Sequence, residues 1–256
     1  MSLEIGCLKD LEQAVILILS NLTVLKKIAQ GFDKVLVFGG DGTMLDAVRH
    51  AIPYDIPVLG VNLGYLGFLA EFDADVRATD LAKALKSSDY AEKTLIEVTF
   101  DKSYLALNDL VIKSNTTRPV VIDMFVDDMF ADTFKSDGII VSTPTGSTAY
   151  SLSAGGPVLA PDVKAVVVNP ICPHSLHSRP LVVSDKARLT IQISGEEGEV
   201  SVAVDGELVS FARVGDRILV ETSKSTAKFV DCGNNNFYNK LLKKMNVWST
   251  TLQKSE

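Results

Sequence analysis

The sequence predicts an α/β domain built on a parallel sheet, followed by a β-rich domain. Two observations carry this expectation. Through roughly the first ninety residues, apolar β-branched runs alternate with segments whose apolar residues recur at helical spacing, the pattern of strands joined by crossover helices. From about Thr94 the texture changes to short alternating runs with turn residues between them, the signature of a dense antiparallel region. The expected boundaries are 1–93 for the α/β domain, 94–228 for the β-rich domain and 229–256 for a C-terminal tail.

The elements follow in order. Ala14 to Leu19 and Val35 to Phe38 read as strands, and Leu22 to Ala29 as a helix. Gly39, Gly40 and Gly42 then strip side chains from a turn, and Thr43 is placed to cap a helix running to His50, because Met44, Leu45 and Val48 share one face. "IPVLGVN" after Pro53 is a further short strand, and Asp80 to Leu85 a further helix. Beyond Thr94 the strands are "TLIEVTF", "YLALNDLVIK", "VVIDMFVDD", "MFADTF", "DGIIVST", "AVVVNP", "RLTIQIS", "VSVAVDG" and "RILVETS". "NNNFYNKLLKKM" reads as a C-terminal helix or lid, with Lys240, Lys243 and Lys244 forming a solvated basic face.

Composition narrows the partners. The chain has 256 residues, 46% of them apolar, enough for a sizeable core, and a formal charge of -7 that argues against general nucleic-acid binding. The longest early apolar run, Ala14 to Leu19, is far short of a bilayer span, and Glu4, Lys9, Asp10 and Glu12 break any secretory signal pattern. No membrane association is expected. Cys7, Cys172 and Cys232 are odd in number and widely spread, which suits a reducing cytoplasm rather than a disulfide framework. Cys172, His174 and His177 make a poor zinc set at this spacing, and a turn histidine is the better reading.

Two segments carry chemistry. In "KVLVFGGDGTMLDAV" a strand ends in a bare glycine loop and a helix N-terminus, which points amides and a positive dipole end at one place and suits a phosphate. Asp41 is the oddity, since a carboxylate repels such a ligand; it is either a turn former or a chemical group. The absence of Lys-Ser/Thr after the glycines excludes a Walker loop, and Leu45 stands where a dinucleotide fold would carry its third glycine. A second glycine cluster, "GVNLGYLGF", offers Asn62 as a polar contact. The other segment, Lys135 to Pro157, passes Lys135 and Asp137, crosses a buried strand and exits into Thr143, Pro144, Thr145, Gly146, Ser147 and Thr148, with Tyr150, Ser151 and Ser153 on a short helix behind. Hydroxyls and amides suit sugars and phosphates, and an aromatic ring can stack on a base.

Taken together, "GGDGTML", "GVNLGYLGFLAEF", "LND", "SDGIIVSTPTGSTAYSLSAGGPVLAP" and "NPICPHSLHSRPLVV" resemble the NAD kinase family, in order and nearly end to end. "GGDGT" alone is shared with diacylglycerol and sphingosine kinases, so a lipid kinase is the alternative; the threonine, glycine and tyrosine segment is the specific one. The resemblance implies a two-domain fold of the NAD kinase and diacylglycerol kinase type whose tail returns to the first domain. It implies phosphorylation of NAD at the 2′-hydroxyl of the adenosine ribose, with ATP or polyphosphate as donor, a divalent metal (Mg2+ or Mn2+), and a homodimer or homotetramer. By the same resemblance Asp41 is the general base and Gly42 contacts the dinucleotide nearby, with Gly39, Gly40 and Thr43 as further binding positions of the same loop. Asn108 and Asp109 hold the adenosine part of NAD. Thr148, Ala149, Tyr150 and Ser153 match the residues that line the dinucleotide's other half, and Thr145, Ser151 and Leu152 beside them are expected to bind the cofactor too. Lys135 and Asp137, with Arg118 as a basic contact before them, reach an NAD bound by the neighbouring subunit. Two departures stand out: only forty residues precede Asp41, and Glu207 replaces a frequent Gln after the "VDG" turn.

Overall fold

The computed structural model describes residues 15–19 (backbone only), 33–64, 67–175, 177–195, 199–233 and 237–244. The expected helix from Leu22 to Ala29 lies outside them. The chain divides into two compact units, Met1–Glu92 with Ala227–Glu256, and Lys93–Thr226.

In the first unit, β1 (Val15–Leu19), β2 (Lys34–Gly39) and β3 (Val58–Asn62) run parallel in that order, with Leu17 opposite Leu36 and Leu36 opposite Leu59. The strand β4 (Phe72–Asp73) extends the sheet beside the C-terminal end of β3, and Phe229 pairs in parallel beside its start at Val58. A parallel sheet covered on both faces needs continuous apolar strands, and β3 is buried at all five positions. Helix α1 (Asp41–Ala51) buries Met44, Ala47, Val48 and Ala51. Met44 lies over Gly60, where a Cβ would come within 2.6 Å of its sulfur, so Gly60 is a packing glycine. Helix α2 (Ala78–Lys86) packs Leu81, Ala84 and Leu85 against Leu36, Phe38, Leu59 and Val61.

The start of α1 corrects the sequence reading. Gly40, extended at φ -88 and ψ -175, is the N-cap, and no side chain caps the helix. Its carbonyl accepts the Met44 N–H at 3.1 Å, so helical backbone begins at Asp41. Thr43 sits inside the first turn and does not cap it. Its side chain occupies the space that a Cβ on Gly39 would need, 2.6 Å from Oγ1.

The second unit is a sandwich of two antiparallel layers. Its strands are β5 (Tyr90–Thr99, beginning in the first unit), β6 (Ser103–Ala106), β7 (Asp109–Ser114), β8 (Val120–Val126), β9 (Met129–Ser136), β10 (Gly138–Ser142), β11 (Ala165–Ile171), β12 (Leu181–Ser184), β13 (Leu189–Ser194), β14 (Glu199–Val204), β15 (Glu207–Arg213) and the first part of β16 (Arg217–Val230). One layer has the order β12-β11-β10-β7-β14-β15. In the other, β8 pairs with β9 and β13, β13 pairs with β16, and β5 pairs with β6. Alternate residues of both layers, among them Ile96, Ile112, Ile122, Met124, Ile139, Val168, Ile191 and Val202, form one core. Each such side chain contributes about 1.5–3 kcal/mol by leaving water. The run "YLALNDLVIK", expected as one strand, is broken at Leu107–Asn108 into β6 and β7.

Candidate functional site

Among the described residues, each unit presents a polar centre around residues singled out above. In the first, Asp41 opens α1 directly behind the glycine loop, where the helix dipole favours a negative group. Its Oδ2 accepts the Phe68 N–H at 3.0 Å and its Oδ1 the Leu69 N–H at 3.1 Å. The segment 67–69 therefore folds over the carboxylate, and it can do so because residue 67 is glycine: a Cβ there would lie 2.3 Å from Oδ1. One bond to each oxygen leaves acceptor capacity on both, and the side chain is 33% exposed, so a hydroxyl can reach it.

Cations complete this centre. Lys244 Nζ stands 4.0 Å from Asp41 Oδ2 and 4.4 Å above the Phe68 ring. Lys240 donates to the Ala70 carbonyl, and burial pushes its pKa down, against the opposite pull of Glu71, Asp41 and Asp73. Only Lys243 of the three keeps the solvated position expected from the sequence. Residues 237–244 are helical, and Phe237 sets its ring 6.0 Å from Phe68, which turns the 240/244 edge toward the Asp41 loop.

In the second unit the centre is the break between β6 and β7. Asp205 Oδ2 accepts the Leu107 N–H at 2.8 Å, and Oδ1 accepts those of Asn108 at 2.7 Å and Asp109 at 3.0 Å. Asp205 and Gly206 are the two central residues of the β14–β15 hairpin, both at positive φ (48 and 80), as a type I′ turn requires. From the other side, Thr143 Oγ1 donates to the Leu107 carbonyl at 2.5 Å and its N–H to the Asn108 carbonyl at 2.9 Å. Gly146 backs onto the same carbonyl, with no room for a Cβ at 2.1 Å. The Asp109 carboxyl is 4% exposed. Burial, then the charge of Asp205, pushes it up to about 7.

The remaining candidates divide. Asn108, Thr145, Thr148, Ala149 and Leu152 are half-buried, and Tyr150 and Ser153 are exposed; Tyr150 opens the short helix α3 (Tyr150–Ser153). Ser151 is fully buried, with its carbonyl and hydroxyl facing Asn169 Nδ2 at 3.0 and 3.4 Å. It anchors α3 and presents no surface to a ligand, which corrects its place among the binding residues. Asn62 is buried and spends an amide hydrogen on the Gly64 carbonyl at 3.2 Å. Lys135 and Arg118 are exposed, and Asp137 half-buried. The sequence places Gly67 in the second glycine cluster, Lys244 on a basic face and Asp205 in the "VDG" turn, but gives none of them, nor the Phe68 and Leu69 amides, these contacts. The Asp-Gly turn was the one local signal for the Asp205 clamp.

Comparison with known proteins agrees with this architecture. Residues 5–90 match the family profile of the ATP-NAD kinase N-terminal domain, and residues 107–232 that of the ATP-NAD kinase C-terminal domain. The chain is 37% identical over 228 residues to an NAD kinase of Desulforamulus reducens, covering 86% of this chain and 79% of that one. It is 40% identical over 222 residues to an NAD kinase of Carboxydothermus hydrogenoformans, covering 83% and 79%. Among solved structures it is similar to yeast NADH kinase complexed with NADH (TM-score 0.79, 31% identity, 87% of this chain and 68% of that one). It is also similar to an NAD kinase from Archaeoglobus fulgidus in complex with ATP (TM-score 0.72, 28% identity, 82% of each). The chain belongs to the NAD kinase family.

Proposed function

We propose that the protein phosphorylates the 2′-hydroxyl of the adenosine ribose of NAD, with ATP as donor, to give NADP. The observation that carries this reading is the Asp41 carboxylate, held by two backbone amides at a helix N-terminus behind Gly39, Gly40 and Gly42. A turn-forming aspartate has no need of a second segment folded over it. A base for an alcohol does need a fixed direction and free lone pairs. Asp41 accepts the 2′-hydroxyl proton, the ribose oxygen bonds to the γ-phosphorus, and the bond to the bridging oxygen breaks to release ADP.

The lining takes its roles from the family likeness. Asn108 and Asp109, fixed by Asp205, hold the adenosine part; Thr145, Thr148, Ala149, Tyr150, Leu152 and Ser153 line the other half of the dinucleotide. Among the described residues no group of three metal-binding side chains occurs. A divalent cation, Mg2+ or Mn2+, would therefore be held chiefly by the donor's phosphates, with few protein ligands, and would offset their charge beside Asp41. Exposed Lys135 and half-buried Asp137 support a homo-oligomer in which they reach a neighbour's NAD; activity constant on dilution to a demonstrated monomer contradicts that. Three scattered cysteines support a cytoplasmic setting, and among the described residues no helix is long and apolar enough to cross a membrane.

The likeness through residues 107–232 favours NAD over a lipid as acceptor. A coupled assay for NADP formed from NAD and ATP tests the reading, with diacylglycerol as the comparison acceptor. NADP formation is expected, and phosphorylation of the lipid alone overturns it.

A further inference from the structure

We propose that Lys244 is a further catalytic residue, whose ammonium meets the oxygens of the transferring phosphoryl group beside Asp41. This rests on the reading of Asp41 as the base. The helical segment 237–244 is fastened to the segment that holds Asp41 at three points: Phe237 against the Phe68 ring, Lys240 on the Ala70 carbonyl, and Lys244 over the Phe68 ring at 4.4 Å. Phe68 thus serves two groups at once. Its amide holds Asp41 Oδ2, and its ring face holds the ammonium that stands 4.0 Å from the same oxygen.

That distance is informative. It is too long for a hydrogen bond, and among the described residues Lys244 makes none, whereas Lys240 bonds the Ala70 carbonyl and Lys228 bonds Asp55. Lys244 therefore keeps three donors available while its position is set by an aromatic face and a carboxylate. Its side chain is 27% exposed, so a ligand oxygen can reach it in a setting where charge is less screened than in open water. Charge in phosphoryl transfer is spread over the three peripheral oxygens next to the attacking one, and a compact ammonium with three donors suits them. Lys244 keeps its protons throughout: the 2′-hydroxyl proton goes to Asp41, the new ribose O–P bond forms, and the electron pair of the broken bond leaves with ADP. A mere tether for the tail would act on stability and leave turnover alone.

The test compares Lys244→Met and Lys244→Arg, with exposed Lys243→Met as the neighbour that should keep parental turnover. Lys244→Met should lower kcat on the order of 100-fold, the scale of removing one charge-stabilising donor, with KM for NAD within about two-fold, because the ammonium meets the donor's phosphoryl oxygens and not the dinucleotide. Lys244→Arg should recover part of the loss. Calorimetry with inorganic tripolyphosphate reads the site without turnover, and affinity should fall on the order of ten-fold in Lys244→Met. Turnover within about three-fold of the parent together with unchanged tripolyphosphate affinity overturns the proposal. So does a loss that tracks melting temperature alike in both variants. A parent that binds tripolyphosphate through Lys244 yet makes no NADP counts against the NAD kinase reading and not against the site.

Discussion

Asp205→Asn isolates the clamp beneath the β6–β7 break. Asn tolerates the left-handed conformation that residue 205 adopts (φ 48), so the hairpin turn survives and only the acceptor set changes. The native carboxylate takes three N–H bonds, from Leu107, Asn108 and Asp109. With the Asn oxygen kept toward Asn108 and Asp109, its NH2 group faces the Leu107 N–H, donor against donor, in a place where Leu107 is 1% exposed. Stranding that donor costs about 1–3 kcal/mol, and turning the other two bonds from charge-assisted to neutral costs roughly 1 kcal/mol each. Relief of repulsion on the buried Asp109 returns part of this, leaving a net loss of about 2–4 kcal/mol. For a chain of this size each kcal/mol moves Tm by roughly 2–4 °C, so calorimetry should show a drop on the order of 10 °C. KM for NAD should rise as the Asn108–Asp109 backbone loosens. A Tm within about 2 °C of the parent, with KM unchanged, refutes the clamp.

Two further outcomes are expected. Asp109 titrates at about 7 in the folded chain against a usual 3.8, so between these values the folded state holds a proton that the unfolded chain has released. Stability therefore falls as pH rises through that window, by on the order of 4 kcal/mol in all, and levels off above it. Asp109→Asn should melt above the parent at pH 8 and converge with it near pH 4; a variant that melts below the parent at pH 8 contradicts this. Tyr150→Ala should raise KM for NAD by roughly ten-fold, from a stacking contribution of about 1–3 kcal/mol, with little loss of Tm because the ring is 38% exposed; a large Tm loss with unchanged KM assigns the ring to packing.

What was legible in the sequence is what depends on neighbours along the chain. The continuous apolar run Val35 to Phe38 announced β2, as burial on both faces requires, and the helical repeat from Asp80 to Leu85 announced α2, because burial of one helix face imposes a period of 3.6 that local spacing records. Glycines beside a lone aspartate marked the Asp41 loop for the same reason. The misses all depend on residues far apart. Thr43 was a plausible cap, yet helical backbone starts at Asp41, whose carboxylate is engaged 27 residues on by the Phe68 N–H. The strand "YLALNDLVIK" breaks because Asp205, 96 to 98 residues away, takes three successive amides out of ladder pairing. Two of the three lysines of the tail leave the solvated face, because Phe237 docks on Phe68 and carries Lys240 and Lys244 with it, while Lys243 stays exposed. A side chain such as Ser151, polar yet fully buried, carries no mark in one sequence that separates it from an exposed neighbour such as Tyr150.

Asp41→Asn tests the central claim most directly. The substitution keeps shape and can still present one oxygen to the loop amides, but it takes no proton. Turnover of NAD to NADP should fall on the order of 100- to 10,000-fold, the usual cost of removing a general base. NAD affinity by calorimetry should hold, because the groups around Asn108 and Tyr150 are untouched. Turnover within about three-fold of the parent would contradict the account and leave Asp41 as a structural carboxylate that ties the 67–69 segment to α1.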